Sequence, residues 1–392
     1  MRSRQVAFSA IALALFSAFV SYWQFSRCIP SGWSSPDVYQ KGCYTDITAL
    51  YQSRNFVIDA WPYGSGSESF EYPVLSGLGI WLISLLTRDG SAGLQQFFLL
   101  NIFSITLLFI TTVLLLGKFD KRNSYIYAIS PAVILALFIN WDMWAIAAML
   151  ASLHLLQKRE HSLSGVLLAV GIFLKFFPIL LVIPILLFLR RDIRQLRDFV
   201  VGLVATTLVI NLPLVVTEFD GWAKFYIFNY KRGVDFGSIW YLISLHGSWI
   251  TNVNQIATPI LGCLILVISI RYRDNFRAAM FLTSVAFFTL NKVYSPQYVL
   301  WLAAIALVFF KKNRIFYTLF FIWQLSEVLY QYGIWRYILT VLNESGGITA
   351  DTYTWISIIR ILALMSLTGY GIYQTDLFKD NLIEGSSGKA NG

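Results

Sequence analysis

The sequence predicts an all-α, polytopic membrane protein, and three observations carry the prediction. Hydrophobic residues make up 57% of the 392 positions and charged residues only 13%, about half of the roughly 25% usual in a soluble domain. Apolar runs recur along almost the whole chain. The breaks between them carry basic clusters in alternation. With a mean hydropathy of +0.63, the composition excludes an ordinary soluble enzyme and a disordered chain.

The elements follow in order. The N-terminus reads Met-Arg-Ser-Arg and is then apolar from Val6 to Phe25. At 1.5 Å per residue this run matches a hydrocarbon core of about 30 Å. It is longer than a signal-peptide core and lacks an A-x-A cleavage site, so it reads as a retained signal-anchor helix with Arg2 and Arg4 in the cytoplasm. The stretch PVLSGLGIWLISLLT at 73–87 opens on proline and holds two glycines. It is assigned to a juxtamembrane or re-entrant helix on the outer side. Further apolar segments fall near 95–117, 124–139, 142–157, 163–177, 178–189, 199–217, 255–270, 277–291, 296–310, 315–331 and 353–373. Together with the first they make about 12 transmembrane helices, several of them short enough to need pairing or local thinning of the bilayer.

Basic clusters set the orientation: Lys118/Lys121/Arg122, Lys158/Arg159, Arg190/Arg191/Arg194/Arg197, Arg271/Arg273/Arg277 and Lys311/Lys312/Arg314. An even number of crossings separates each from the next, so all can lie beside Arg2 and Arg4, with both termini cytoplasmic. These segments and the two termini hold 19 of the 30 Lys+Arg and 8 of the 21 Asp+Glu. The remainder of the chain is slightly negative. The formal charge of +9 is therefore an orientation signal, and it does not indicate nucleic-acid binding. The chain reads as one integral-membrane domain over 1–373, with a large first external loop at 26–94. A polar tail over 374–392, ending GSSGKANG, reads as disordered. No repeat of 20–50 residues is visible.

Cys28, Cys43 and Cys263, with His154, His161 and His246 scattered, show no metal-ligand spacing. No metal and no cofactor is expected. Cys28 and Cys43 flank the start of the first loop. They are either a disulfide, in an oxidising exterior, or two free thiols.

Candidate chemistry lies at the tips on the outer side, where ionisable groups near membrane depth point to function. Asp46, in CYTDITALY, is either a catalytic carboxylate or a helix N-cap. Glu71, in SFEYPVLSG, can bind a sugar hydroxyl or brace the loop. Asn140-Trp141-Asp142 combines an aromatic face with a carboxylate, a way to hold a sugar, although Asp142 can equally cap a helix. Lys175, in GIFLKFFPILL, either snorkels or holds a phosphate. Arg232 and Ser238 sit in the loop 218–253, where arginine can clamp phosphate. The run Asn291-Lys292-Val293-Tyr294-Ser295-Pro296-Gln297-Tyr298 is too polar for a turn between spans. Lys292 is its best candidate for a phosphate contact, with Tyr294 and Gln297 as further substrate contacts. Glu327 and Arg360, inside late apolar spans, can pair as a structural unit.

Taken together the tips resemble the polyprenyl-phosphate-sugar-dependent membrane glycosyltransferases of the GT-C type, nearest to glycosyltransferase family 87 of actinobacteria. The carrying residues are TDITALY at 45–51, FEYPVL at 70–75, NWDMWA at 140–145, LKFFP at 174–178, RGVDFGSIW at 232–240 and NKVYSPQYVLW at 291–301. The resemblance implies an inverting transferase in the cell membrane. It would move mannose, or alternatively arabinose or another sugar, from a polyprenyl-phosphate carrier to a glycolipid or glycan acceptor of the cell envelope on the extracytoplasmic face. It also implies that Asp46 is the general base. The first loop has no DxD, which departs from the aspartyl pairs of the oligosaccharyltransferase branch. A transporter or flippase of lipid-linked sugars is the competing class, but it would favour repeat symmetry and polar residues at midplane.

Overall fold

The computed structural model describes residues 2–54, 56, 60–64, 70–88, 90–247 and 253–377. Among them all regular structure is helical. The helices are α1 (Arg2–Ser26), α2 (Asp37–Gln40), α3 (Asp46–Ser53), α4 (Val74–Ser84), α5 (Gly90–Phe119), α6 (Lys121–Ile129), α7 (Pro131–Ala136), α8 (Asp142–Gln157) and α9 (His161–Leu174). They continue with α10 (Val182–Leu189), α11 (Ile193–Thr217), α12 (Phe219–Lys231), α13 (Ile239–His246), α14 (Val253–Arg271), α15 (Phe276–Leu290), α16 (Val299–Phe309), α17 (Arg314–Val341) and α18 (Ala350–Leu377). Short 3-10 turns at Phe177–Leu181 and Pro296–Tyr298 lead into α10 and α16.

Proline decides several of these breaks. Pro131 starts α7 two residues after α6 ends, and Pro178 and Pro296 sit in the 3-10 turns, because proline has no N–H to continue a preceding helix. Among the described residues, four helical stretches are long and apolar enough to cross a membrane: Ala7–Ser31, Ala92–Phe119, Ile193–Thr217 and Ala350–Thr375. The others are shorter apolar helices, or, like α17, carry polar residues such as Gln324, Glu327 and Gln331 inside the bundle. The segment at 73–87 becomes α4, whose 11 residues rise only about 16 Å, half of a hydrocarbon core. At the C-terminus helix continues to Leu377, past the expected start of the polar tail. Residues 378–392 of that tail lie outside the described residues.

The core lies around α8, α15 and α16, where Met149, Leu150, Phe281, Leu302 and Ile305 are fully buried. α11 instead leaves Val201, Leu208, Val209 and Val216 exposed, and α1 does the same with Phe8, Phe16 and Phe19. Rows of exposed large apolar side chains are costly in water and suit lipid.

The helices give the bundle two unlike ends. α8 runs from Asp142 to the Lys158/Arg159 turn, α9 returns from His161 to Lys175, and α15 runs from Arg277 to the loop at Asn291. One end therefore collects the basic clusters. There Arg190 and Arg191 both meet Asp274, at 2.6 and 3.2 Å. Two of its acids cap helices, Asp120 accepting from Arg122 N–H and Asp192 from Arg194 and Gln195 N–H. The opposite end collects the polar tips.

Candidate active site

Four chain segments far apart in sequence meet at that opposite end. The first is the entry to α3. Thr45 caps this helix by accepting from Ile47 N–H, and its hydroxyl donates to Phe138 O at 2.7 Å. Asp46, the first residue of α3, is thus relieved of capping. Its backbone N–H donates to Ile139 O at 2.8 Å, which ties the loop to the tip at 140–142. Its carboxylate takes two hydrogen bonds, from Tyr44 OH to Oδ1 at 2.8 Å and from Asn140 Nδ2 to Oδ2 at 2.6 Å.

Asn140 is the hub. Its Nδ2 also donates to Tyr72 OH at 2.8 Å, and its Oδ1 accepts from Lys175 Nζ at 2.9 Å. Lys175 stands 4.6 Å over the Tyr72 ring and 3.5 Å from Asp142 Oδ2. It reaches this position because α9 ends at Gly171–Leu174 and Lys175 itself is extended, with Pro178 barring further helix. Asp142, fully buried at the start of α8, accepts from Trp301 Nε1 at 2.6 Å. The site is layered: Asn140 and Asp142 are buried beneath, while Tyr44, Asp46, Tyr72 and Lys175 are half-buried above them.

Burial pushes the Asp46 carboxyl above the usual carboxylate range. The hydrogen bond from Tyr44, the Lys175 charge and the Asn140 amide pull it back in part, and Asp142 adds to the rise. Two carboxylates served by one lysine cannot both be fully compensated. The Tyr44 and Tyr72 hydroxyls are pushed up, Tyr44 first by the neighbouring Asp46 charge and Tyr72 first by burial. Both therefore remain proton donors. The arrangement is a partly accessible carboxylate with raised basicity, held by two donors beside an ammonium group.

A second cluster lies behind the 291–298 loop. Arg360, fully buried, donates from Nε to Glu327 Oε2 at 2.7 Å, from Nη1 to Tyr294 O at 2.9 Å and from Nη2 to Ser295 O at 3.3 Å. Glu327 Oε1 accepts from Tyr294 OH at 3.0 Å and from Trp323 Nε1 at 2.9 Å. Every lone pair that matters is taken, so this unit fixes the loop and offers nothing to a ligand.

The remaining sequence candidates take supporting places. Lys292 Nζ donates to Asn229 O at 2.5 Å, Tyr230 O at 3.3 Å and Arg232 O at 2.7 Å. The expected phosphate contact is not the geometry seen, because the three carbonyls at the C-terminus of α12 occupy the ammonium group. Burial, then the Arg232 charge, lowers the Lys292 pKa. Arg232 itself ion-pairs with Asp235. Burial opposes the Arg232 charge, but Asp235 together with Tyr298 and Tyr72 offsets this and raises its pKa. Glu71 forms a two-pronged pair with Arg54, both bonds at 2.6 Å, and thus braces the loop. Ser238, fully buried, caps α13 by accepting from Tyr241 N–H. Tyr294 belongs to the Arg360 cluster, and Gln297 is buried in the turn before α16. Trp141 does not offer its face to a sugar. It is 1% exposed, and its Nε1 donates to Asn101 Oδ1 at 2.6 Å.

Cys28 and Cys43 are joined in a disulfide that closes the segment leading to Asp46. Gly237 has φ +80, and a Cβ there would meet Tyr330 OH at 2.2 Å and Tyr294 O at 2.4 Å. Only glycine lets the 232–240 loop lie this close to the second cluster. Sequence reasoning passed over Tyr44, Tyr72, Asn101 and Trp301. Tyr44 and Tyr72 stand within two residues of the acids that were singled out. Asn101 and Trp301 sit in apolar runs, and only the fold brings them to the site.

A helical membrane protein with a polar, carboxylate-centred site at one end is the class these features define. The family model of glycosyltransferase family 87 matches residues 70–291, more than half of the chain, and the chain belongs to that family. Asn140, Asp142, Lys175, Arg232 and Ser238 lie inside the matched region, whereas Asp46 precedes it. The chain is also similar to GPI mannosyltransferase 1 of Eremothecium gossypii, with 27% identity over 212 residues, covering 48% of this chain and 53% of that protein. The chain thus spans about half the length of this curated relative.

Proposed function

We propose that the protein is a membrane glycosyltransferase that moves a sugar, mannose in the first instance, from a polyprenyl-phosphate carrier to an acceptor on the extracytoplasmic face of the cell membrane, with inversion at the anomeric carbon. The observation that carries this reading is the half-open Asp46 carboxylate, raised in pKa and held by Tyr44 and Asn140. Asp46 takes the proton of the acceptor hydroxyl as its oxygen bonds to the anomeric carbon. The bond from that carbon to the phosphate oxygen breaks, and the carrier phosphate leaves with the electron pair. Lys175 and Arg232 offset the charge that grows on the phosphate, and Lys292 holds the Arg232 segment. A groove of about 500 Å³ between α13 and α18 supports a lipid-linked donor. It is lined by Leu242, Ile358 and Leu362 among others, and α13 begins seven residues after Arg232 in the chain. Membership of family 87 and the named mannosyltransferase relative support the transfer of a sugar.

The test supplies membranes containing the protein with a panel of radiolabelled polyprenyl-phosphate sugars. Labelled product is expected from the mannose donor and not from the Asp46→Asn variant at equal expression. Full transfer by Asp46→Asn would remove Asp46 as the base. Lipid movement without an acceptor would favour a flippase.

A further inference from the structure

At the basic end of the bundle, away from the candidate active site, two turns meet. One joins α10 to α11 and the other joins α14 to α15. Arg190, which ends α10, donates from Nη2 to Asp274 Oδ1 at 2.6 Å. Arg191 Nη2 lies 3.2 Å from the same oxygen, and Arg273 Nε lies 3.9 Å from Asp274 Oδ2. Arg190 Nη1 also donates to Leu187 O at 2.6 Å and to Arg273 O at 3.3 Å, which ties the two turns together. Three guanidiniums thus converge on one carboxylate. The nearest other acid in the chain, Asp192, is committed to the cap of α11, where it accepts from the backbone N–H groups of Arg194 and Gln195 and from Gln195 Nε2. The corner therefore holds more cation than carboxylate, with Asp274 fixing the arginines in place. The side chains of Arg191 and Arg273 are 74% and 54% exposed, so N–H donors of both face outward.

Beside these arginines the surface turns apolar. Leu266, Val267 and Ile270, in the last turns of α14, are exposed, and so is Ile193 at the start of α11. Val267 stands one helical turn before Arg271, a rise of about 6 Å. The Arg271 guanidinium in turn lies 5.4 Å over the Tyr272 ring. An exposed apolar helix that ends in arginines and a tyrosine marks the boundary between hydrocarbon and headgroups.

Chemistry selects the occupant. Guanidinium forks match the oxygens of a phosphate. A soluble anion gains nothing from the apolar wall, and a nucleic acid or an acidic protein surface would bring polar groups against it. A phospholipid with a negatively charged headgroup answers both features at once. We infer that the corner of Arg190, Arg191 and Arg273 is a binding site for an anionic phospholipid of the leaflet around the basic end of the bundle. The headgroup phosphate bridges the two turns, and the acyl chains lie against Leu266, Val267 and Ile270. The site stands apart from the sugar-transfer reading, because it binds lipid with neither donor nor acceptor present.

The experiment follows lipid retention by native mass spectrometry on the full chain purified in detergent. Phosphatidylglycerol, diphosphatidylglycerol and phosphatidylcholine of matched chain length are added separately. The two anionic lipids are expected to be held about tenfold or more tightly than phosphatidylcholine. Arg191→Gln combined with Arg273→Gln should weaken their retention about 10- to 30-fold, the weight of two cations at an anionic surface. Lys118→Gln combined with Lys121→Gln removes the same charge from the turn between α5 and α6, at the same end of the bundle, and should leave retention unchanged. All four positions are exposed. Added anionic lipid should also raise the melting temperature of the natural chain and of the lysine variant but not of the arginine variant. Equal weakening in the two variants would mean that lipid responds to the summed charge of this end, and it overturns the site. Phosphatidylcholine held as tightly as the anionic lipids overturns it as well. Displacement of the lipid by millimolar inorganic phosphate would assign the arginines to a soluble anion, which also sinks the lipid site.

Discussion

Two meetings of carboxylate and cation among the described residues are built for opposite ends. Around Glu327 and Arg360 every polar atom that matters has a partner inside the bundle, and both side chains are almost wholly buried. Around Asp46 and Lys175 there are two carboxylates for one lysine, and Asp142 Oδ2 takes no hydrogen bond among the described residues. Asp46 itself stays half-open. Saturation gives rigidity, because a satisfied buried pair can change only at high cost. Incomplete compensation leaves a carboxylate whose basicity is raised and whose proton can be exchanged with a ligand. The sealed cluster also serves the open one, since Arg360 holds the backbone of Tyr294 and Ser295 in the loop next to the site.

The largest expected effect separates the two clusters by activity. Asp46→Asn should lower sugar transfer by about 10²–10⁴-fold, the usual weight of a general base. The sign for stability is the reverse. Burial raises the Asp46 pKa in the folded state, so ionisation near neutral pH opposes folding, and a neutral isostere should leave the melting temperature unchanged or higher. A melting temperature well below that of the natural chain would make Asp46 structural and erase the contrast.

Arg360→Ala should act in the opposite sense. Leaving Glu327 buried without its partner should cost about 3–5 kcal/mol of stability, read by thermal unfolding in detergent. Unaltered unfolding would mean that the sealed cluster is dispensable.

Lys175→Met should slow transfer by about 10²-fold through loss of charge opposite the leaving phosphate. It should also move the acid limb of the pH–rate profile. In the natural chain the rate falls as pH drops through the raised pKa of Asp46, so the limb lies above the ordinary aspartate value of 3.8. Lys175 pulls that pKa down, and its removal should shift the limb further up. A limb that does not move would separate Lys175 from Asp46.

The smallest effect belongs to Lys292→Ala, which removes a cation from the C-terminus of α12. A loss of about 0.5–1 kcal/mol in stability is expected, together with a higher KM for donor because the Arg232 segment loosens. A collapse of transfer comparable to that of Asp46→Asn would restore Lys292 as a direct phosphate contact.

Much of this was readable from the chain alone. Membrane character follows from composition and from apolar runs, because lipid selects hydrophobicity whatever the tertiary contacts. The segregation of basic clusters from polar tips follows from the alternation of short helices, and it places Asp46, Asn140, Asp142, Lys175 and Arg232 at one end. The pairing of Glu327 with Arg360 was also legible, since isolated charges inside apolar spans must find each other.

Which of those polar residues faces a ligand was not legible. Lys292 and Arg232 look alike in sequence, yet one caps a helix and the other faces Asp235. Asp46 and Asp120 both stand at helix starts, yet Thr45 relieves the first of capping, while the second accepts from Arg122 N–H. Sequence determines residue type and period, and these suffice for partition between lipid and water and for the end of the bundle on which a tip lies. Hydrogen-bond partners 94 residues apart, such as Asp46 and Asn140, are chosen by helix packing. Packing alone therefore decides which carboxylate is saturated and which stays open to chemistry.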